Sequence, residues 1–232
     1  MNIFKEKMTY RIIRVFRKVS YTMRKKGILA VLLIAMLLQA LPAAAFSDLG
    51  GYEWCESEVT YLNEKGLLRG TSEGIFSPSE AVIRGDFSVL TVRIFGLEAD
   101  RIPENFDDVA PDMYYYRPIG ILKLYQIVSG TDWNHYSPEE HMLRQDMAVL
   151  LWRLMNKVGY TAQSHADTVL SAYSDSWQIE QYAREAVAYL IEKGIMTGKP
   201  DGRLCPLDTV TRAEMAVMMA RIHKYLWQSY GN

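Results

Sequence analysis

Only two cysteines and four histidines occur in 232 residues, and each scarcity closes off a class of function. Cys55 and Cys205 are too few for a disulfide framework and are not spaced for a metal site. In an exported chain they leave two outcomes, one bridge between the first and last thirds or two free thiols, and free thiols are the expected one. His135, His141, His165 and His223 have no metal-ligand spacing, and no serine or cysteine stands in a nucleophile motif. Apolar and polar residues do not alternate over any useful strand length, so no sheet is predicted. No catalytic residue, cofactor or metal ligand is expected.

Positive charge is also scarce beyond the first 45 residues. Of the 26 basic and 27 acidic residues, nine and one fall in Met1–Ala45, so the remainder carries 17 against 26 and about nine net negative charges. That balance argues against nucleic acid as a partner. The basic segment is a separate object: Lys25-Lys26 precede an apolar run from Ile28 to Leu38, then Pro42 and Ala43-Ala44-Ala45. This is the layout of a secretory signal cleaved after Ala45, and it implies export. An uncleaved anchor is the alternative, because Gly27–Ala45 approaches the roughly 20 residues a bilayer requires. A start at Met23 would give a signal of ordinary length and the same mature protein.

The rest of the chain is organised by an internal repeat. Phe46-Ser-Asp48-Leu49 recurs as Phe106-Asp-Asp108-Val109 and as Tyr173-Ser-Asp175-Ser176. Leu67-Leu-Arg-Gly70 recurs as Ile127-Val-Ser-Gly130 and Ile195-Met-Thr-Gly198. Eight residues past each glycine stands a proline, Pro78, Pro138 and Pro206, and fourteen past it an arginine, Arg84, Arg144 and Arg212. Three landmarks held in register three times are not chance. They divide the chain at 46–104, 105–170 and 171–232.

Each unit reads as helix, loop, helix. In the third, Tyr182, Ala186, Leu190 and Ile191 form one stripe, ended by Gly194 in a position suited to a left-handed cap. Met215, Met218, Met219, Ile222 and Leu226 form the second, matched by Met147, Leu150, Leu151, Leu154 and Val158 in the second unit. Thr71–Gly74 and Lys199–Gly202 are turn signals between the helices. A two-helix unit cannot bury its stripe alone, so the three share an all-α core, stacked as a short solenoid or closed around a pseudo-threefold axis.

Thr211-Arg212-Ala213-Glu214 is a capping box, which accounts for the threonine and the glutamate but not for Arg212. A cation in the first helical turn opposes the helix dipole, at a cost of about 0.3–1 kcal/mol where exposed. The other units replace the threonine by Ile83 and Leu143 yet keep the arginine, with Asp86 and Asp146 in place of Glu214. Two readings stay open. The arginines pair internally with Asp48, Asp108 and Asp175, or they face outward and bind an anion by forked hydrogen bonds.

Phe-x-Asp, an apolar pair ending in Gly, a turn ending in Pro and Thr-Arg-Ala-Glu together resemble the S-layer homology module of bacterial envelope proteins. The resemblance spans about Phe46 to Tyr225, and three tandem copies are usual in that family. It implies a pseudo-threefold bundle that binds an anionic secondary cell-wall polysaccharide in grooves between repeats, with a pyruvate-ketal carboxylate on the motif arginine. Carried over by position, the ligand contacts are Arg84, Arg144 and Arg212, with Gly70, Gly130 and Gly198 where sugar approaches backbone. Asp48, Asp108, Asp175, Asp86, Asp146 and Glu214 are then supporting residues. Trp54, Tyr114 and Tyr182 either line grooves or pack in the core.

Departures from the pattern are Gln126 at a helix-ending glycine position, Pro118 at the place of Ala186, and the missing threonines. The resemblance also implies location in the wall or surface layer, with other surface-layer proteins as further candidate partners. Enzymes anchored in this way carry a separate catalytic domain, and none is expected within these 232 residues. The alternatives are a membrane-tethered protein, should the apolar run stay uncleaved, and a structural surface-layer protein whose repeats contact other proteins.

Overall fold

A computed structural model describes residues 46–160 and 164–230. The signal segment and the choice between Met1 and Met23 lie outside the described residues. Within them the chain forms seven α-helices: α1 Glu53–Glu64, α2 Arg84–Phe95, α3 Tyr116–Leu124, α4 Arg144–Lys157, α5 Ala166–Leu170, α6 Arg184–Glu192 and α7 Arg212–Tyr230. Among the described residues there is no strand, only isolated bridges such as Ile83 with His141 and Leu143 with Thr209. The fold is all-α, as the missing alternation predicts.

The two expected stripes behave as core faces. Met215, Met218, Met219, Ile222 and Leu226 are buried, as are Met147, Leu150, Leu151, Leu154 and Val158. They join residues of all three units in one apolar cluster. Tyr182 is the exception in its stripe: it lies ahead of α6 and is 59% exposed, while Ala186 and Leu190 are buried.

Partners are exchanged around a cycle. The first helix of each unit packs on the second helix of another: α1 on α7, α3 on α2, α6 on α4. At the centre three backbone bonds close a ring, Val82 N to Val210 O, Val210 N to Met142 O and Met142 N to Val82 O, at 2.8–2.9 Å. These ring bonds tie the first unit directly to the third, which sets the arrangement apart from a stack in which each unit touches only its sequence neighbours.

The cycle also explains how two second helices manage without a capping side chain. Ile83 and Leu143 are extended and give no side-chain cap. Arg84 N and Gly85 N instead donate to Glu140 O and Pro138 O, and Arg144 N and Gln145 N to Asp208 O and Pro206 O. Arg212 N and Ala213 N donate to Glu80 O and Pro78 O. The repeated proline therefore supplies a carbonyl that caps a helix of a different unit, satisfying amides that would otherwise be orphaned. Only α7 adds the box, with Thr211 N bonded to Glu214 Oε2 and Glu214 N to Thr211 Oγ1.

The departures have local reasons. Pro118 is in the first turn of α3, where its amide has no helical partner to lose. Gln126 takes the left-handed conformation (φ 55°) that Gly66 and Gly194 take in the other units (φ 68° and 65°), a conformation glycine adopts without penalty.

Candidate functional site

Each motif arginine reaches into the loop of another unit. Arg84 Nε donates to Tyr136 O at 2.8 Å, Arg144 Nε to Leu204 O at 2.9 Å and Arg212 Nε to Phe76 O at 2.9 Å. The Phe-x-Asp carboxylates hold the same three residues from the amide side. Asp48 accepts from Phe76 N and Ser77 N, Asp108 from Tyr136 N and Ser137 N, and Asp175 from Leu204 N and Cys205 N. Ser77, Ser137 and Cys205 all have positive φ, 50° to 58°, so these carboxylates pin a strained corner. Burial pushes the Asp48 carboxyl up, but the amides of Phe76 and Ser77 outweigh it and its pKa lies below the usual range. Among the described residues no motif arginine forms an ion pair with Asp48, Asp108 or Asp175; arginine and aspartate meet through a shared peptide.

Arg84 and Arg144 open onto cavities, each drawn from all three units. A cavity of about 370 Å3 is lined by Arg84 of the first unit, by Gly130, Asp146 and Arg153 of the second, and by Tyr182 of the third. A second, of about 410 Å3, takes Arg144 from the second unit, Gly198, Lys199, Glu214 and Arg221 from the third, and Trp54 from the first. The Arg212 corner follows the same plan: Arg212 Nη2 donates to Arg69 O beside Gly70, and Tyr114 Oη donates to Asp86. The expected site residues are thus brought together, but across units.

Trp54, Tyr114 and Tyr182 are 53%, 62% and 59% exposed rather than packed in the core, and Trp54 and Tyr182 line the two cavities. Tyr182 Oη donates to Asp146 at 2.6 Å, the same bond that Tyr114 makes to Asp86. Burial first, and then the carboxylate, raise both phenol pKa values, so both remain donors. The loop glycines have a packing reason to be glycine. A Cβ at Gly70 would lie 2.2 Å from Ile75 O, one at Gly130 2.5 Å from His135 O, and one at Gly198 2.6 Å from the Tyr173 ring.

A second set of arginines went unnoticed in the repeat pattern. Arg93, Arg153 and Arg221 each stand nine residues past the motif arginine. Arg153 and Arg221 line the two cavities; Arg153 Nη1 donates to Ser129 Oγ and Arg221 Nη1 to Ile195 O. The signal was their constant spacing, two and a half helical turns along the same helix.

Cys55 and Cys205 are buried free thiols, and burial raises the Cys55 pKa to about 11. Among the described residues no group of three or more His, Cys, Asp and Glu side chains is placed to hold a metal ion. No helix among them is long and apolar enough to cross a membrane.

Comparison with known proteins agrees with the repeat. The family model for the S-layer homology domain matches residues 45–88, 105–148 and 172–216. An endoglucanase of Bacillus sp. (strain KSM-635) is 29% identical over 199 residues, 81% of this chain and 20% of its own length. An amylopullulanase of Thermoanaerobacterium thermosulfurigenes is 23% identical over 72% of this chain and 9% of its own. S-layer protein EA1 of Bacillus anthracis is 24% identical over 210 residues, 88% of this chain and 23% of its own. The chain thus spans a quarter or less of these curated relatives, enzymes and S-layer proteins alike, and the similarity is confined to that part. By sequence match along more than half its length, the chain belongs to the S-layer homology domain family.

Proposed function

We propose that this chain holds non-covalently to the bacterial cell wall by binding an anionic secondary cell-wall polysaccharide, its acid group a pyruvate ketal. The three repeats, at 46–104, 105–170 and 171–232, act as one binding unit, and a pseudo-threefold bundle is the arrangement their cyclic hydrogen bonding supports. The S-layer proteins among its relatives favour a surface location, and export through the Met1–Ala45 segment is part of the same reading.

One observation carries the proposal. Arg84 is 7% exposed, yet only its Nε has a hydrogen-bond partner among the described residues, while the guanidinium lies 4.6 Å from the Tyr136 ring and borders a cavity. A buried guanidinium with uncommitted N–H groups is matched to a planar anion such as a carboxylate. Arg153 adds a second cation on the same wall, and Tyr182 an aromatic edge against which a sugar ring can lie. Van der Waals stacking on such an edge and a charge-assisted fork are complementary parts of one glycan site.

Co-sedimentation of the protein with purified cell walls, before and after chemical removal of the secondary polymer, tests the reading. Pelleting that depends on the polymer supports it; equal pelleting with stripped walls contradicts it. A structural role in contacts with other surface-layer proteins is the second reading, favoured at one place by the internal pairing of Arg144 with Glu214.

A further inference from the structure

The three arginine corners share a plan but differ in charge. Where the first two units carry Thr71 bonded to Ser77 and Thr131 bonded to Ser137, the third has Lys199 and Cys205. Where Arg212 and Arg84 lie over the rings of Phe76 and Tyr136, Arg144 meets Leu204. Where Tyr114 and Tyr182 hold Asp86 and Asp146 by their hydroxyls, the aromatic residue is Trp54, which has no hydroxyl to offer.

Of these changes Trp54 lines the same cavity as Glu214, and Lys199 meets that carboxylate directly. Its Oε1 pairs with Arg144 Nη1 at 3.1 Å and also takes Lys199 Nζ, while Oε2 accepts from Thr211 N. Arg144 is committed at every nitrogen, with Nε on Leu204 O, Nη2 on Thr197 O and Nη1 on Glu214. Burial pushes the Glu214 carboxyl up, but Arg144, Lys199 and the Thr211 amide together hold its pKa below the ordinary value. Arg84, by contrast, has no carboxylate within ion-pair distance among the described residues.

We infer that Glu214 is an internal counter-anion that occupies Arg144 and Lys199 and closes their groove to anionic ligands, while the groove of Arg84, which has no such counter-anion among the described residues, stays open to them. This rests on the glycan-binding reading above. Glu214 sits where the ligand carboxylate would sit, on the same fork, so the Arg144 groove presents a Trp54 wall and a neutralised floor. Uncharged sugar units fit that lining, and an acid group is repelled by Glu214.

The test is calorimetric titration of the full chain with a methyl hexoside bearing a pyruvate ketal, using its methyl ester as the uncharged control. Glu214→Gln keeps an oxygen for the Thr211 amide but removes the charge. It is expected to bind one more equivalent of the acid than the wild type, and Glu214→Gln with Arg144→Gln to lose that equivalent again. Arg84→Gln is expected to lose one equivalent, with folding checked by circular dichroism. An unchanged stoichiometry in Glu214→Gln overturns the inference, and this outcome does not depend on whether Arg84→Gln folds. Failure of the wild type to bind the probe while polymer-dependent sedimentation persists also overturns it, and leaves the wall-binding reading standing.

Discussion

Arg84 and Asp108 hold opposite sides of one residue: Arg84 donates to the carbonyl of Tyr136, and Asp108 accepts from its amide. Asp108 also accepts from Ser137 N, so on the Tyr136–Ser137 peptide the anion lies at the positive end and the cation at the negative end, and each strengthens the other's bond. The same grip is repeated on Phe76 by Arg212 and Asp48, and on Leu204 by Arg144 and Asp175. Arginine and aspartate are therefore in register throughout the chain without forming an ion pair.

Loss of an aspartate from this grip is predicted to be costly. Asp175 is 6% exposed and satisfies the amides of Leu204 and Cys205. Asp175→Ala orphans both and leaves Cys205 unsupported at φ 50°. Two charge-assisted bonds to buried amides correspond to a loss of about 3 kcal/mol, read from urea denaturation. A loss below about 1 kcal/mol would show that the corner is held by other contacts.

Replacing Gln126 by glycine is predicted to stabilise the protein by about 1 kcal/mol, because it removes a side chain from the left-handed region. The exposed bond from Lys157 Nζ to Gln126 Oε1 is lost in exchange and is worth little in water. Thermal denaturation of Gln126→Gly measures the difference, and a lower melting temperature would contradict the assignment.

Stability is predicted to fall on acidification before the carboxylates titrate. His223 is 4% exposed, and burial first, with Lys65 second, depresses its pKa to about 4. Its Nδ1 is bonded to Tyr61 Oη at 2.8 Å. The unfolded chain, with an ordinary histidine pKa of about 6.5, then binds the extra proton between pH 6.5 and 4, so stability is complete above that window and declines through it. The linked loss has an upper bound of about 3 kcal/mol. His223→Gln is expected to flatten the pH dependence in that window; an unchanged slope would place the proton elsewhere.

Tyr182→Phe removes the hydroxyl that holds Asp146 and that accepts from Gln145. Freed from Tyr182, Asp146 can turn its charge toward Arg84 across the same cavity, as Glu214 does toward Arg144. Binding of the purified anionic polymer is predicted to weaken roughly threefold to tenfold, corresponding to about 1 kcal/mol. Surface plasmon resonance reads the change, and tighter binding by Tyr182→Phe would contradict this role.

Much of the fold was legible in residues alone. The glycine, proline and arginine landmarks placed both helices of each unit because they mark a helix end, a turn and a helix start, all local features. The exchange of partners was not legible, because Arg84, Arg144 and Arg212 bond to carbonyls 52, 60 and 136 residues away, and such bonds leave no local pattern. Each of the two cavities takes its arginine, its loop and its aromatic wall from three different units. Arg93, Arg153 and Arg221 were legible in principle through their spacing. The Thr-Arg-Ala-Glu box of the third unit reads locally as a cap next to Arg212, yet its glutamate pairs with Arg144, a contact that only the fold reveals.

The central claim is that motif arginines left without an internal counter-anion, Arg84 foremost, take the acid groups of a wall polymer. The most direct measurement is a pull-down with purified secondary polymer before and after mild-acid removal of its ketal carboxylates, using the wild type and a folded variant with Arg84, Arg144 and Arg212 all replaced by glutamine. The account predicts that the wild type binds only the intact polymer and that the variant binds neither. Equal capture of intact and decarboxylated polymer, or undiminished capture by the variant, would contradict it.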